Sequence, residues 1–319
     1  MFRYFLRRLL WMIPIVLGVA ILVFTLMTFC PGDPAKILLS GAATDAEIEA
    51  LRTELGLNDP FFVRLGTFLG NTFLKFDLGN SWMNKTSIAT EIGTRLPRTF
   101  VLAMITLLIS ISVGLPLGII AAVNQGRIGD NIATALALIG VSIPGFWLAL
   151  LLILLFSVRL KWLPPMGIGG LKYYILPALT GCTYGIATLT RQTRSSMLDV
   201  IRSDYITTAR SKGVSELHVI TRHALKNALI PIITVIGTHF GMSLGGQMIT
   251  ETIFAIPGMG SFIITGVNQR DYPVVQIGSI FLAIVFSFSM LAVDLLYAAA
   301  DPRIKAQYSG GGKRRAKKA

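Results

Sequence analysis

The run from Asp204 to Pro231, DYITTARSKGVSELHVITRHALKNALIP, lies between two long apolar stretches and is itself basic and helix-prone. Within it Ala209, Leu217, Ile220, Ala224, Leu225 and Ala228 recur at steps of about three and four residues, the period of one helical face. Two short amphipathic helices are expected, separated at Lys212-Gly213, since Gly readily ends a helix in a left-handed turn. A helix of this kind, held at a membrane surface, must cover its apolar stripe with lipid headgroups or with a partner protein. A partner is the preferred reading.

The composition around this run defines the class. Of 319 residues, 53% are hydrophobic and 14% charged, whereas soluble domains carry about 25% charged residues. Long uncharged runs separate Arg8 from Asp33, Arg98 from Arg127, Asp130 from Arg159, Lys172 from Arg191, Lys226 from Glu251 and Asp271 from Asp294. Each can hold the roughly 20 residues that a bilayer requires, the fourth only just. The reading is an all-α membrane protein with six transmembrane helices. A further uncharged run, Thr252 to Gln269, is interrupted by Pro257-Gly258-Met259-Gly260. A continuous span there would leave backbone groups unpaired in lipid, so it is expected to be an outer or partly re-entrant element.

Six spans place both termini on one side. That side collects Arg3, Arg7 and Arg8, the Asp204 to Pro231 run and the tail Lys313-Arg314-Arg315-Ala316-Lys317-Lys318, so positive-inside bias makes it the cytoplasm. Arg159, Lys161 and Lys172 fall on the opposite side, against the bias. The net charge of +13 therefore describes orientation and attraction to anionic membrane lipid, with no nucleic-acid partner, because no stacking aromatics interleave the basic tail.

The chain divides into a cytoplasmic N-terminus and first helix (1–29), an extracytoplasmic segment (30–98), a five-helix core (99–303) with the cytoplasmic loop 191–228, and a basic tail (304–319). The apolar run of the first helix, Leu9 to Phe29, is longer than a signal-peptide core and no small-x-small site follows, so the helix is expected to be retained. In the outer segment Thr44-Asp45-Ala46-Glu47 is a capping box, Ile48, Leu51 and Leu55 share a helical face, and Gly56 is the stop. Pro116 between Gly114 and Gly118 implies a kink and close helix contact in the second span. Pro144-Gly145 marks a weak point or static kink in the third. In the fifth span Gly237, Gly241 and Gly245 stand at four-residue steps, which suits a packed interface or a pathway wall, and His239 is an ionisable residue at membrane depth.

No catalytic chemistry emerges. The string nearest a phosphate-binding loop, Gly79 to Thr86, has Asn84 before Lys85, His218 and His223 lack the company that a metal site needs, and Cys30 and Cys182 are too few for a disulfide framework. An enzyme is not expected, and no catalytic, metal or cofactor-binding residue is assigned.

Several motifs together carry a family resemblance. Asp204-Tyr205-Ile206-Thr207-Thr208-Ala209-Arg210-Ser211-Lys212-Gly213, with Arg222-His223-Ala224-Leu225 and Asn227-Ala228-Leu229, resembles the cytoplasmic loop of ABC importer permeases of the dipeptide/oligopeptide/nickel branch. Thr207 stands where that family usually has Glu, and Lys226 where it has the first Pro of the motif. Pro31-Gly32-Asp33-Pro34, Asp77-Leu78-Gly79-Asn80-Ser81, Pro257-Gly258-Met259-Gly260, Arg270-Asp271-Tyr272-Pro273 and Asp301-Pro302-Arg303 are also similar to that family, to its B-type peptide permease in particular. The resemblance implies a type I ABC importer permease fold in the cytoplasmic (inner) membrane of a prokaryote. It implies a second homologous permease, two ABC ATPases that hold the ATP and Mg, and an extracytoplasmic binding protein as partners. It implies that Asp204, Tyr205, Thr207, Thr208, Ala209, Lys212 and Gly213 couple to the ATPase. The cargo implied is a di- or oligopeptide, with nickel or another small solute as the alternative. A secondary transporter would need intramembrane charge pairs or an internal repeat, and neither is evident.

Overall fold

The computed structural model describes residues 2–39 and 43–300, and among these every regular element is a helix. The Asp301-Pro302-Arg303 motif and the basic tail lie outside the described residues. Helix α1, Phe2–Phe29, is an apolar rod. It is an integral part of the fold, because Val16 and Ala20 pack on Ile280 of the last helix. The Arg8 guanidinium also reaches the Asp294 carboxylate at 3.1 Å.

The outer segment is more helical than its sequence suggests. Helix α2, Pro34–Leu38, is capped by the Asp33 carboxylate, which accepts the Ala35 N–H at 3.0 Å. Helix α3, Asp45–Glu54, has the expected capping box and ends at Gly56, whose φ is +65°. Helix α4, Phe61–Leu69, continues into a π-helical turn at Gly70–Leu74. It rests on α1 through Phe61 and Phe68, whose rings stand 5.6 and 5.4 Å from that of Phe24. Helix α5, Ile88–Val123, begins within this segment rather than near Phe100 and runs through both Pro97 and Pro116. Each Pro removes one intrahelical hydrogen bond, and the intact turns on either side carry the helix across it.

Helix α6, Ile128–Ser142, and α7, Gly145–Leu152, which continues as a π-helix over Ile153–Arg159, make one span bent by 96°. Pro144 holds the preceding Ile143 in an extended conformation, ψ 121°, which ends α6. Helix α8, Lys172–Ile201, leads into the loop that begins at Asp204. There α9, Asp204–Ser211, and α10, Glu216–His218, flank Gly213. A π-helical stretch, Val219–Ala224, joins α10 to α11, Leu225–Gly246. The expected second amphipathic helix is thus the first turns of the fifth span, not a separate element. Helix α12, Met248–Ile253, and α13, Met259–Gln269, form the interrupted outer stretch, and α14, Tyr272–Ala300, is the last span.

Four helices, over Phe5–Phe29, Ile88–Val123, Glu216–Gly245 and Tyr272–Leu295, are long and apolar enough to cross a membrane, and the bent α6–α7 pair makes a fifth. The sixth expected span, α8, has 30 residues, about 45 Å of helix. Its composition does not mark it as a span, because it is enclosed by α5, α6, α7 and α11. Its polar side chains meet protein rather than lipid. Thr190 Oγ1 donates to the Gly114 carbonyl at 3.2 Å, and Arg194 grips the buried Asp130 carboxylate with two bonds of 2.6 and 2.7 Å. The close approach of α5 depends on its small residues. A Cβ on Gly114 would lie 2.9 Å from the Ile186 carbonyl oxygen, and one on Gly118 would strike Thr193.

Candidate functional site

The loop that begins at Asp204 is a short helix nailed to the bundle by its apolar side. Ile206 is fully buried with Val219, Ala224, Ala228 and Ile232 of the following helix and Leu189 and Met197 of α8. Ala209 and Val214 pack at the edge of the same cluster. The stripe read from the sequence is partly corrected here. Ala224 and Ala228 are core, whereas Leu217 is 74% exposed and its place is taken by Val219. The π-helical stretch explains the shift, because an extra residue per turn rotates the face. Ile206 was missed, although its three-residue spacing from Ala209 was visible.

The opposite side of α9 is open. Asp204, Tyr205, Thr207, Thr208, Lys212 and Gly213 are exposed and Ala209 is half-buried, so six of the seven residues assigned to coupling share one outward surface. The loop is closed by backbone geometry. Gly213, at φ +79°, donates its N–H to the Arg210 carbonyl at 2.9 Å, and Val214 donates to Ala209 at 3.3 Å. This is the paired-bond helix stop that requires a left-handed residue, with Val214 against Ala209 as its apolar contact. Arg210 and Glu216 bridge the turn with bonds of 2.6 and 3.0 Å. Asn227 Nδ2 donates to the Tyr205 hydroxyl at 3.0 Å, tying α9 to α11.

Above this loop a cleft of about 410 Å³ runs between α8 and α11, lined by Tyr184, Thr188, Arg191, Gln192, Thr238 and His239 with Val235 and Met242. A second cavity of about 520 Å³ adjoins it, and Arg191 borders both. Tyr184, Thr188 and Arg191 follow one another at four and three residues and therefore share a face of α8. A polar face at membrane depth is poorly matched to lipid tails. That spacing was legible in the sequence but was passed over, because Thr and Tyr carry no charge to draw notice.

His239 sits at the back of this cleft, buried, with its Nε2 3.3 Å from the Ser110 hydroxyl. The Ser110 hydroxyl also lies within hydrogen-bond reach of the Thr106 and Cys182 carbonyls, at 2.8 and 3.3 Å. Gly185 makes room for the ring, since a Cβ there would overlap it. The three glycines of α11 do not act as one strip. A Cβ on Gly237 would overlap Val293, and one on Gly241 would lie 2.9 Å from Phe286, both on α14, whereas Gly245 has nothing within 4 Å. A four-residue step advances an α-helix by 40° more than one turn, so two steps carry the third glycine off the contact. Gly237 and Gly241 therefore serve packing inside this chain.

The outer motifs, scattered in sequence, meet in space. Asp271 accepts hydrogen bonds from Ser81 Oγ at 2.5 Å and from the Trp82 and Met83 N–H groups at 3.1 and 3.3 Å. Arg270 reaches the Pro31 carbonyl at 2.8 Å. Glu251 is fully buried, accepting from Thr99 Oγ1 at 2.7 Å and from the Ser261 N–H at 2.9 Å, while Thr99 Oγ1 accepts the Met259 N–H at 2.8 Å. The first turn of α13 is thus capped by side chains from α12 and α5. Gly258 is required beside it, because a Cβ there would overlap the Glu251 carboxyl. Burial pushes that carboxyl above its usual range, in spite of the Thr99 and Ser261 bonds.

Comparison with known proteins agrees with this geometry. Residues 114–306 match the family model of the binding-protein-dependent transport system inner membrane component, and residues 1–103 match its N-terminal companion. A relative from Brucella abortus (strain 2308), named a peptide transport system permease protein, is 44% identical over 308 residues, covering 94% of this chain and 98% of its own. The glutathione transport system permease protein GsiC of Salmonella choleraesuis is 40% identical over 306 residues, covering 96% and 99%. Among solved structures, an inward-facing form of the MetNI methionine ABC transporter superposes on 66% of this chain and 96% of its own with a TM-score of 0.57 at 17% identity.

Proposed function

The chain belongs to the family of binding-protein-dependent transport system inner membrane components, and from that premise we propose that it carries short peptides inward across the cytoplasmic membrane. It is a substrate-translocating permease subunit of an ABC importer, with the type I permease fold, and is not itself an enzyme. Its partners are ATPase subunits and a substrate-binding protein. Within the proposal, the two ATPases hold ATP and Mg, and a second, homologous permease sits against this one. Both termini lie in the cytoplasm.

The observation that carries the coupling role is the outward surface of α9, exposed over Asp204, Tyr205, Thr207, Thr208, Lys212 and Gly213 while Ile206 locks its inner side to three other helical segments. A helix so mounted moves as one body with α8 and α11. ATPase closure, pushing on α9, would tilt the two walls of the cleft that holds Tyr184, Thr188, Arg191 and Thr238. That polar face is the proposed wall of a pathway shared with the second permease. The names of the relatives support a peptide cargo, with nickel as the alternative.

The test is transport by the whole assembly in liposomes, with the binding protein outside and ATP within. Saturable uptake of labelled dipeptide, with no uptake of nickel, supports the reading. Nickel uptake without peptide uptake replaces the cargo. A cysteine at Thr208 that forms no crosslink to an ATPase in the active assembly would overturn the coupling surface.

A further inference from the structure

A cavity of about 260 Å³ lies among α1, α14, the turn after α3, and α4, and shares no lining residue with the cleft between α8 and α11. Its lining includes Asp59, Arg64, Asn71, Trp82, Tyr272 and Gln276. The two charges are of opposite sign, yet they make no ion pair with one another. Among the described residues neither side chain has a charged partner elsewhere, and Arg64 lies over the Phe24 ring at 5.8 Å. Gln276 is 6% exposed and its side-chain amide has no hydrogen-bond partner among the described residues. The amide borders the cavity and is free to bond a guest there. Trp82 and Tyr272, with ring centroids 5.3 Å apart, supply an aromatic wall.

We propose that this cavity binds a small zwitterion, with its ammonium group at Asp59 and the aromatic wall, and its anionic group at Arg64 and the Gln276 amide. The argument rests on the charge pattern. A site for an anion alone would present cations only, and two opposite charges with no intended guest would be free to close on one another. Here they border one cavity from two separate segments, the turn after α3 and the first turns of α4, with the unpaired Gln276 amide and an aromatic wall on the same cavity. An aromatic face beside the charges attracts an ammonium group directly. Size limits the guest. At about 30 Å³ per water, the cavity holds roughly nine waters' worth of ligand, enough for a dipeptide or a phosphoethanolamine headgroup and too little for a nucleotide.

The shared chemistry has two sources, a soluble dipeptide and the headgroup of phosphatidylethanolamine. The inference does not depend on the α8–α11 cleft being the pathway. Its test uses the full-length chain in phosphatidylglycerol nanodiscs, reading tryptophan fluorescence, with Trp82→Phe as the control that removes the signal. Glycyl-alanine and glycerophosphoethanolamine should each give a saturable change. N-acetylated glycyl-alanine and glycyl-alanine amide, each with one charge removed, should bind at least about tenfold more weakly, the loss expected for one charge-assisted hydrogen bond. Asp59→Asn should abolish discrimination against the acetylated form, and Arg64→Gln discrimination against the amide. Gln276→Leu, which conserves bulk, should weaken both zwitterions. Equal binding of zwitterions and singly charged analogues, no Trp82-dependent signal, or unchanged discrimination in both charge variants would overturn the proposal. In nanodiscs that contain phosphatidylethanolamine, loss of the glycyl-alanine signal identifies the lipid as the natural guest, and persistence identifies the soluble zwitterion.

Discussion

Gly213 offers the sharpest test of how the loop after α9 is built. Its φ of +79° lies in the left-handed region, and a Cβ there would have nothing within 4 Å. Any cost of substitution is therefore backbone strain rather than collision. Left-handed geometry costs an ordinary L-residue about 1–2 kcal/mol, less for Asn and more for a β-branched side chain. The series Gly213→Asn, Gly213→Ala, Gly213→Val should weaken the turn in that order. A loss of 1–2 kcal/mol shifts the ratio of closed to open turn by roughly 5- to 30-fold. The Val214 N–H, bonded to the Ala209 carbonyl at 3.3 Å, reports that ratio directly. Amide exchange of the peptide spanning 209–219 should accelerate by about that factor in Gly213→Ala. Peptide uptake and ATPase stimulation should decline in the same order, while global thermal stability stays within a degree or so, because the strain sits at an exposed loop tip. Unchanged exchange in Gly213→Val, or an Asn variant worse than the Val variant, would refute the backbone argument. Gly213→Asp uptake equal to wild type would remove the coupling role itself.

Three other outcomes are expected. The Glu251 carboxyl is held above its usual range by burial, so the folded state binds its proton more tightly than the unfolded chain does. Stability should fall as pH rises from the ordinary glutamate value toward the raised one, and Glu251→Gln should flatten that slope in thermal unfolding; a wild-type profile that rises over the same interval would contradict the assignment. Gly237→Ala should cost about 1–3 kcal/mol by overpacking against Val293, whereas Gly245→Ala should be neutral or slightly stabilising in the isolated chain; equal losses in detergent melts would dismiss the packing account. Asp130→Ala leaves Arg194 without its carboxylate in a partly buried place, which should cost about 3 kcal/mol, the low end for a broken buried pair, and an unchanged melting temperature would mean the pair is idle.

The general plan was legible in the sequence wherever a signal was local and strong. Charge-free runs marked the four apolar spans and the bent pair that makes a fifth, while the fourth run became α8, which is long enough but not apolar enough to stand out as a span. The Thr44–Glu47 capping box and Gly56 marked α3, and Lys212-Gly213 marked the end of α9, because caps and left-handed turns are written within a few residues. Asp294, near the end of α14, finds its partner in Arg8 of α1, a pairing across almost the whole chain that no local signal carries. Signals failed where the element was short or its periodicity altered. Helix α4, FFVRLGTFL, does have a polar side at Arg64 and Thr67, but nine residues are too few for that period to stand out in the sequence. The π-helical stretch at Val219–Ala224 displaced the predicted stripe and turned Leu217 outward.

By itself the amino-acid order determined that this is a helical membrane protein, where its capped helices stop, and that the run after Asp204 forms a short amphipathic helix. These depend on hydrophobicity, charge and backbone preference, which each short segment carries alone. The tertiary structure decided what distant residues do to one another. It set Glu251 against Thr99 and the start of α13, joined Ser81 to Asp271, gave Gly237 and Gly241 to α14 while leaving Gly245 open, and gathered Asp59, Arg64 and Gln276 around one cavity. Those pairings arise from how helices pack and where the chain returns, and a hydrogen bond between residues more than a hundred positions apart leaves no periodic trace in either segment.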